Sequence, residues 1–143
     1  MKGIRIELPS NDGEETSRGH MGMAKHFYIY DLFESGESSF VERRENTSPP
    51  EVTAHGDPVK MKAVLEICSD CDIIAGAKLS PNFRNVSNTT EFQPLVVGGG
   101  KLTEIISKIT ANYEQIYDLI QRRKEGERTR EVPKLLNERL TLV

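Results

Sequence analysis

Tryptophan is absent from these 143 residues, only two cysteines occur, and aromatic side chains make up 6% of the chain. Two cysteines three positions apart cannot staple a secreted disulfide framework. No apolar run approaches the ~18 residues of a membrane-spanning helix, and Met1-Lys2-Gly3-Ile4-Arg5 lacks the apolar region of a signal peptide. A basic excess is missing as well. The formal net charge is −3, and residues 122–143, with seven basic and four acidic side chains, leave −6 on residues 1–121. Nucleic-acid affinity rests on phosphate neutralisation, so an acidic body argues against that partner. The expectation is a cytoplasmic protein with no nucleic-acid or membrane partner, long enough to bury a core without metal or disulfide support.

What is present is a hydrophobic pattern whose period changes along the chain. Gly3–Pro9 alternates, His26–Phe33 is dense in aromatic and β-branched residues, and Ser39–Arg44 follows the turn Glu34–Glu37. These predict three strands of a meander. Ser10–Gly22 is polar and long enough to be a functional loop, and Asn46–Pro58, with three prolines and a glycine, is a second loop. After Pro58 the apolar spacing becomes helical to Ile67. Cys71–Ala75 reads as a short strand, Asn82–Asn88 as a short helix, and Pro94–Val97 as the last strand, closed by Gly98-Gly99-Gly100.

From Lys101, Leu102, Ile105, Ile106, Ile109, Tyr113, Ile116 and Ile120 recur at three and four, which predicts one long amphipathic helix. Helical returns put the last two strands parallel to the first. The expected fold is a three-layer α/β/α domain around a mixed five-stranded sheet. It would occupy residues 1–121, with 122–143 a charged C-terminal extension. Leu135, Leu136, Leu140 and Leu142 have no home in a complete three-layer domain, which motivates a homodimer.

Several ordered motifs carry a resemblance. Ile4-Arg5-Ile6-Glu7-Leu8-Pro9-Ser10-Asn11-Asp12-Gly13 opens the chain, and Gly19-His20-Met21-Gly22-Met23-Ala24-Lys25-His26-Phe27-Tyr28-Ile29-Tyr30-Asp31 follows. Then come His55-Gly56, Asp72-Ile73-Ile74-Ala75-Gly76-Ala77-Lys78-Leu79-Ser80-Pro81 and Pro94-Leu95-Val96-Val97 before the long helix. Over residues 4–120 the chain resembles the dinitrogenase iron–molybdenum cofactor biosynthesis domain. The resemblance implies a ribonuclease-H-like topology without nuclease activity. It also implies a non-enzymatic carrier of an iron–molybdenum-type or iron–sulfur cluster, or its precursor, passing cargo between donor and acceptor proteins. A metal-free regulatory or interaction module that keeps the fold is the alternative. Two departures stand out: His20-Met21-Gly22 replaces the usual His-Phe-Gly, and Ser80 stands where a glycine commonly occurs.

The candidate binding set is Arg18, Gly19, His20, Gly22 and His55. A neutral imidazole is a good iron ligand, and a protonated one pairs with anions. Gly19 and Gly22 remove Cβ clashes beside His20, and Arg18 adds a permanent charge suited to an anionic cluster. His20, His55, Cys68 and Cys71 are the candidate metal ligands. Cys68-Ser69-Asp70-Cys71 has ligand or redox spacing, yet a tetrahedral thiolate site wants further ligands. The pair also follows a helix, where the dipole disfavours thiolate, so redox catalysis is discounted and core burial is the default. Gly98-Gly99-Gly100-Lys101 is no P-loop, because position 95 is leucine and Leu102 follows Lys101. Glu7, Asp31, Asp70 and Asp72 show no evident convergence of the kind a two-metal nuclease needs.

Overall fold

In the computed structural model, which describes residues 3–51 and 57–143, the alternating opening segment becomes β1 (Gly3–Ser10). Ile4, Ile6 and Leu8 are buried on one face of the sheet, and alternation sends Glu7 to the other. β2 (His26–Phe33) pairs antiparallel with β1, and β3 (Ser38–Glu45) pairs antiparallel with β2. Their turn uses Gly36 at a φ of 92°, a conformation that costs glycine little. β3 is an edge strand, exposed along almost its whole length.

α1 (Pro58–Ile67) starts where the Asp57 carboxylate accepts from the N–H groups of Val59 and Lys60, with Pro58 in the first turn. It returns the chain to β4 (Ile73–Gly76), parallel to β1. α2 (Pro81–Thr89) leads to β5 (Gln93–Val96), parallel to β4, as the sequence predicts.

The expected single helix is instead two, α3 (Leu102–Ala111) and α4 (Tyr113–Lys124). Asn112, at φ −112° and ψ 23°, breaks them and donates from Nδ2 to the carbonyls of Lys108 and Glu138. The apolar stripe runs on across the break, with Ile109, Tyr113, Ile116 and Ile120 all buried. Periodicity alone therefore concealed it.

The sheet has seven strands rather than five, in the order β3-β2-β1-β4-β5-β6-β7. The two additional strands come from the C-terminal stretch. β6 (Pro133–Leu136) lies parallel to β5 through Val96 and Lys134, and β7 (Arg139–Leu142) folds back antiparallel on β6. Asn137, at a φ of 58°, makes the two-residue turn. Leu135 faces Leu140 across the hairpin and is buried in the core with Leu140 packed against it, while Leu136 and Leu142 stay exposed. Alternating charges around Asn137-Glu138 masked a hairpin that two leucine-bearing segments on either side of a two-residue turn already marked.

Two apolar layers sandwich the sheet. One joins Ile4, Ile6, Leu8, Ile73 and Leu95 to α3 and α4; the other joins Phe27, Ile29, Ile74 and Val96 to α1 and α2. The acidic residues near the strands do converge, but upon arginine. Arg5 pairs with Asp31 and Asp70, each at 2.8 Å, and its backbone N–H donates to Asp72. Arg44 closes the network on Asp70 and Glu42. Only Glu7 stands apart, fully buried on the α1 side. Among the described residues no helix is long and apolar enough to cross a membrane.

Candidate cofactor-binding cleft

The polar segment after β1 folds tightly. The Asp12 carboxylate accepts from the N–H groups of Glu14 and Glu15, and Ser17 N–H returns to the Pro9 carbonyl. Thr16 clamps the glycine run beyond β5: its hydroxyl donates to Gly98 O and accepts from Gly100 N–H, both at 3.2 Å. The glycine run is thus engaged by the chain's own loop.

Beyond this anchor His20, in extended conformation, precedes a single 3-10 turn, Met21–Met23. Asn46 holds that turn, its Nδ2 donating to the carbonyls of Gly22 and Ala24 at 2.7 Å. Met21 sits over the end of β4, where Gly76 is required: a Cβ there would lie 2.9 Å from Phe83 Cζ and 3.5 Å from Met21 Cβ.

Between this turn and the first turns of α1 and α2 lies a narrow, open cleft of about 30 Å³, lined by His20, Gly22, Asp57, Lys60, Ser80 and Asn82 among others. It opens beyond the carboxyl ends of β1 and β4, the usual place for ligands in open α/β sheets. Lys60, buried by its stem, donates from Nζ to Ser48 Oγ and to the Pro49 carbonyl. Ser80 caps α2, its Oγ accepting from Phe83 N–H at 3.2 Å. The hydroxyl therefore explains Ser80 where the resemblance leads one to expect glycine. Two helix N-termini and the Lys60 ammonium face the cleft, and the Glu51 and Asp57 carboxylates, which also line it, offset that field. The Nδ1 atom of His20 is buried and has no hydrogen-bond partner among the described residues.

His20 and Gly22 line this cleft; Arg18 and Gly19 are exposed before it and do not. His55 lies outside the described residues. Cys68 and Cys71 are buried at the opposite end of α1, whose ten residues span about 15 Å. The structure thus does not bring the cysteines to His20. Among the described residues no group of three or more His, Cys, Asp or Glu side chains is placed to hold a metal ion. Sequence reasoning missed Lys60, Asn46 and Ser80. Ser80-Pro81 was legible as a helix start, but nothing local marks Lys60 or Asn46, which matter through contacts distant in sequence.

The fold and cleft define a small α/β domain with an open cleft beyond the carboxyl ends of β1 and β4. The family model described as dinitrogenase iron-molybdenum cofactor matches residues 2–112, and the chain belongs to that family. No curated protein matches the chain, and no solved structure does.

Proposed function

We propose that the cleft receives an anionic metal–sulfur cluster, of iron–molybdenum or iron–sulfur type, or its precursor, and that the protein carries this cargo in the cytoplasm without transforming it. The observation that carries the reading is the Nδ1 of His20, buried and without a partner among the described residues, in a cleft faced by two helix N-termini and the Lys60 ammonium. Buried polar atoms are almost always satisfied, and of the orphaned ones among the described residues the His20 Nδ1 is the one that belongs to the cleft lining. An imidazole nitrogen suits iron, and the ammonium and helix ends suit the cluster's negative charge. His55 is the second imidazole of the proposal, since it falls in sequence between Glu51 and Asp57, both of which line the cleft. Arg18 contributes long-range attraction from outside. The open side and few ligands favour release to an acceptor protein. The strand order β3-β2-β1-β4-β5, with β2 alone reversed among those five, supports the ribonuclease-H-like topology.

Anaerobic reconstitution of the full chain with iron and sulfide, with and without molybdate, tests the proposal by metal analysis and optical spectra. Bound cluster is expected, with His20→Ala weakening it severalfold while melting changes little, because a loop position carries little packing energy. Retention of cluster by His20→Ala and its loss on replacing Cys68 and Cys71 would move the site to the thiols. A full chain that takes up no metal would leave a metal-free interaction module.

A further inference from the structure

The two thiols left outside the cleft form an arrangement of their own. Cys71 N–H donates to the Cys68 carbonyl at 2.9 Å, closing a β-turn over Cys68-Ser69-Asp70-Cys71. Such a turn holds its first and last Cα atoms within about 7 Å, and disulfides span about 4.4–6.8 Å. Both thiols are buried in the same apolar cluster, and the Cys71 thiol donates to Asp70 Oδ1 at 3.9 Å. Exposure is uneven: Cys68 is fully buried, whereas Cys71 borders a groove with Ser69, Asp72 and Lys124.

We propose that Cys68 and Cys71 form a reversible disulfide, a redox modification site reached through this groove, with a small-molecule disulfide as the co-reactant. In the first step Cys71 releases its proton to solvent and its Sγ attacks one sulfur of the co-reactant. That S–S bond breaks, a mixed disulfide forms, and the leaving thiolate takes up a proton. In the second step Cys68 loses its proton and attacks Cys71 Sγ, releasing the second small thiol, which is protonated in turn. The protein dithiol is oxidised by two electrons and the co-reactant is reduced to two thiols.

Cys68 is suited to the second step only. The neighbouring Cys71 and burial hold it in the protonated form.

The full chain, free of iron, sulfide and molybdenum, would be equilibrated in glutathione redox buffers, acid-quenched, alkylated after denaturation and weighed by mass spectrometry. Both thiols are expected to disappear together into one intramolecular disulfide that excess reduced glutathione reverses. Cys68→Ser should stop at a glutathione adduct on Cys71, and Cys71→Ser should form an adduct on the order of tenfold more slowly, because access governs the attacking sulfur. Thiols that stay reduced in the most oxidised buffer while circular dichroism reports a folded chain would overturn the proposal. So would a Cys71→Ser variant that forms adducts as fast as Cys68→Ser. Neither result depends on cluster binding.

Discussion

Single residues of this fold respond to pH in opposite directions. Burial pushes the Glu7 carboxyl well above its ordinary value of 4.5, against the opposing hydrogen bond from Ala75 N–H. A raised folded value means that the stability contributed by the protonated form is complete below the unfolded pKa and is lost as pH rises towards the folded one. Glu7→Gln keeps an acceptor for Ala75 and removes the ionisation. Its unfolding free energy should therefore gain on the parent's as pH climbs from acid to neutral, by about 1.4 kcal/mol per pH unit between those two pKa values, with a matching gain in melting temperature. Parallel melting curves across that range would refute a buried neutral Glu7. Asp70 behaves inversely. Arg44 and Arg5 hold its carboxyl below the usual 3.8, so its contribution is present above that value and fades as pH falls below it. Asp70→Asn should flatten the acid side of the stability profile. Gly76→Ala is a steric case: the added methyl meets Phe83, and overpacking of this kind costs about 1–3 kcal/mol, readable by denaturant titration.

Elements are joined here largely through their ends. Arg123, buried in α4, has no ion-pair partner among the described residues and donates to the carbonyls of Ser87, Thr90 and Glu91 at the end of α2. Burial draws its pKa down to about 10, and the guanidinium remains charged at neutral pH. Arg123→Leu strips those carbonyls of donors in a place that water reaches poorly. Unsatisfied buried acceptors cost about 1–3 kcal/mol each, so a loss of that order or more is expected by urea unfolding. An unchanged midpoint would mean that solvent replaces the guanidinium. Asn112 performs the same service for α3, tying its last turn to the β6–β7 turn. A break in an amphipathic stripe thus also anchors the terminal hairpin.

At the scale of the whole molecule the open question is what residues 122–143 contribute. Val132 and Arg123 are buried, Leu135 enters the core, and β6 extends the sheet from β5. A chain ending at Gln121 forgoes these contacts. Fully burying one such aliphatic side chain is worth about 1.5–3 kcal/mol, against a typical total of about 5–15 kcal/mol. Truncation should lower the melting midpoint sharply or abolish cooperative melting; an unaltered midpoint would make the stretch a dispensable extension. The homodimer expectation now rests on a narrower base, Leu136 and Leu142 beside the β7 edge, and sedimentation of the full chain against Leu142→Lys tests it.

Local pattern was enough for the elements whose identity depends on near neighbours. Alternation in β1, the aromatic density of β2, the Pro58 helix start and the parallel return of β4 and β5 were all legible, because backbone period and capping act within a few residues. The motifs around His20 and over Ile73–Ser80 also carry the family resemblance on their own. Other features arise only when distant segments meet. Thr16 occupies the glycine run, Asn46 and Lys60 build the cleft from elements far apart in the chain, and ten residues of α1 hold the cysteines away from His20. Burial, hydrogen-bond satisfaction and separation are properties of packed space, and a one-dimensional pattern does not contain them.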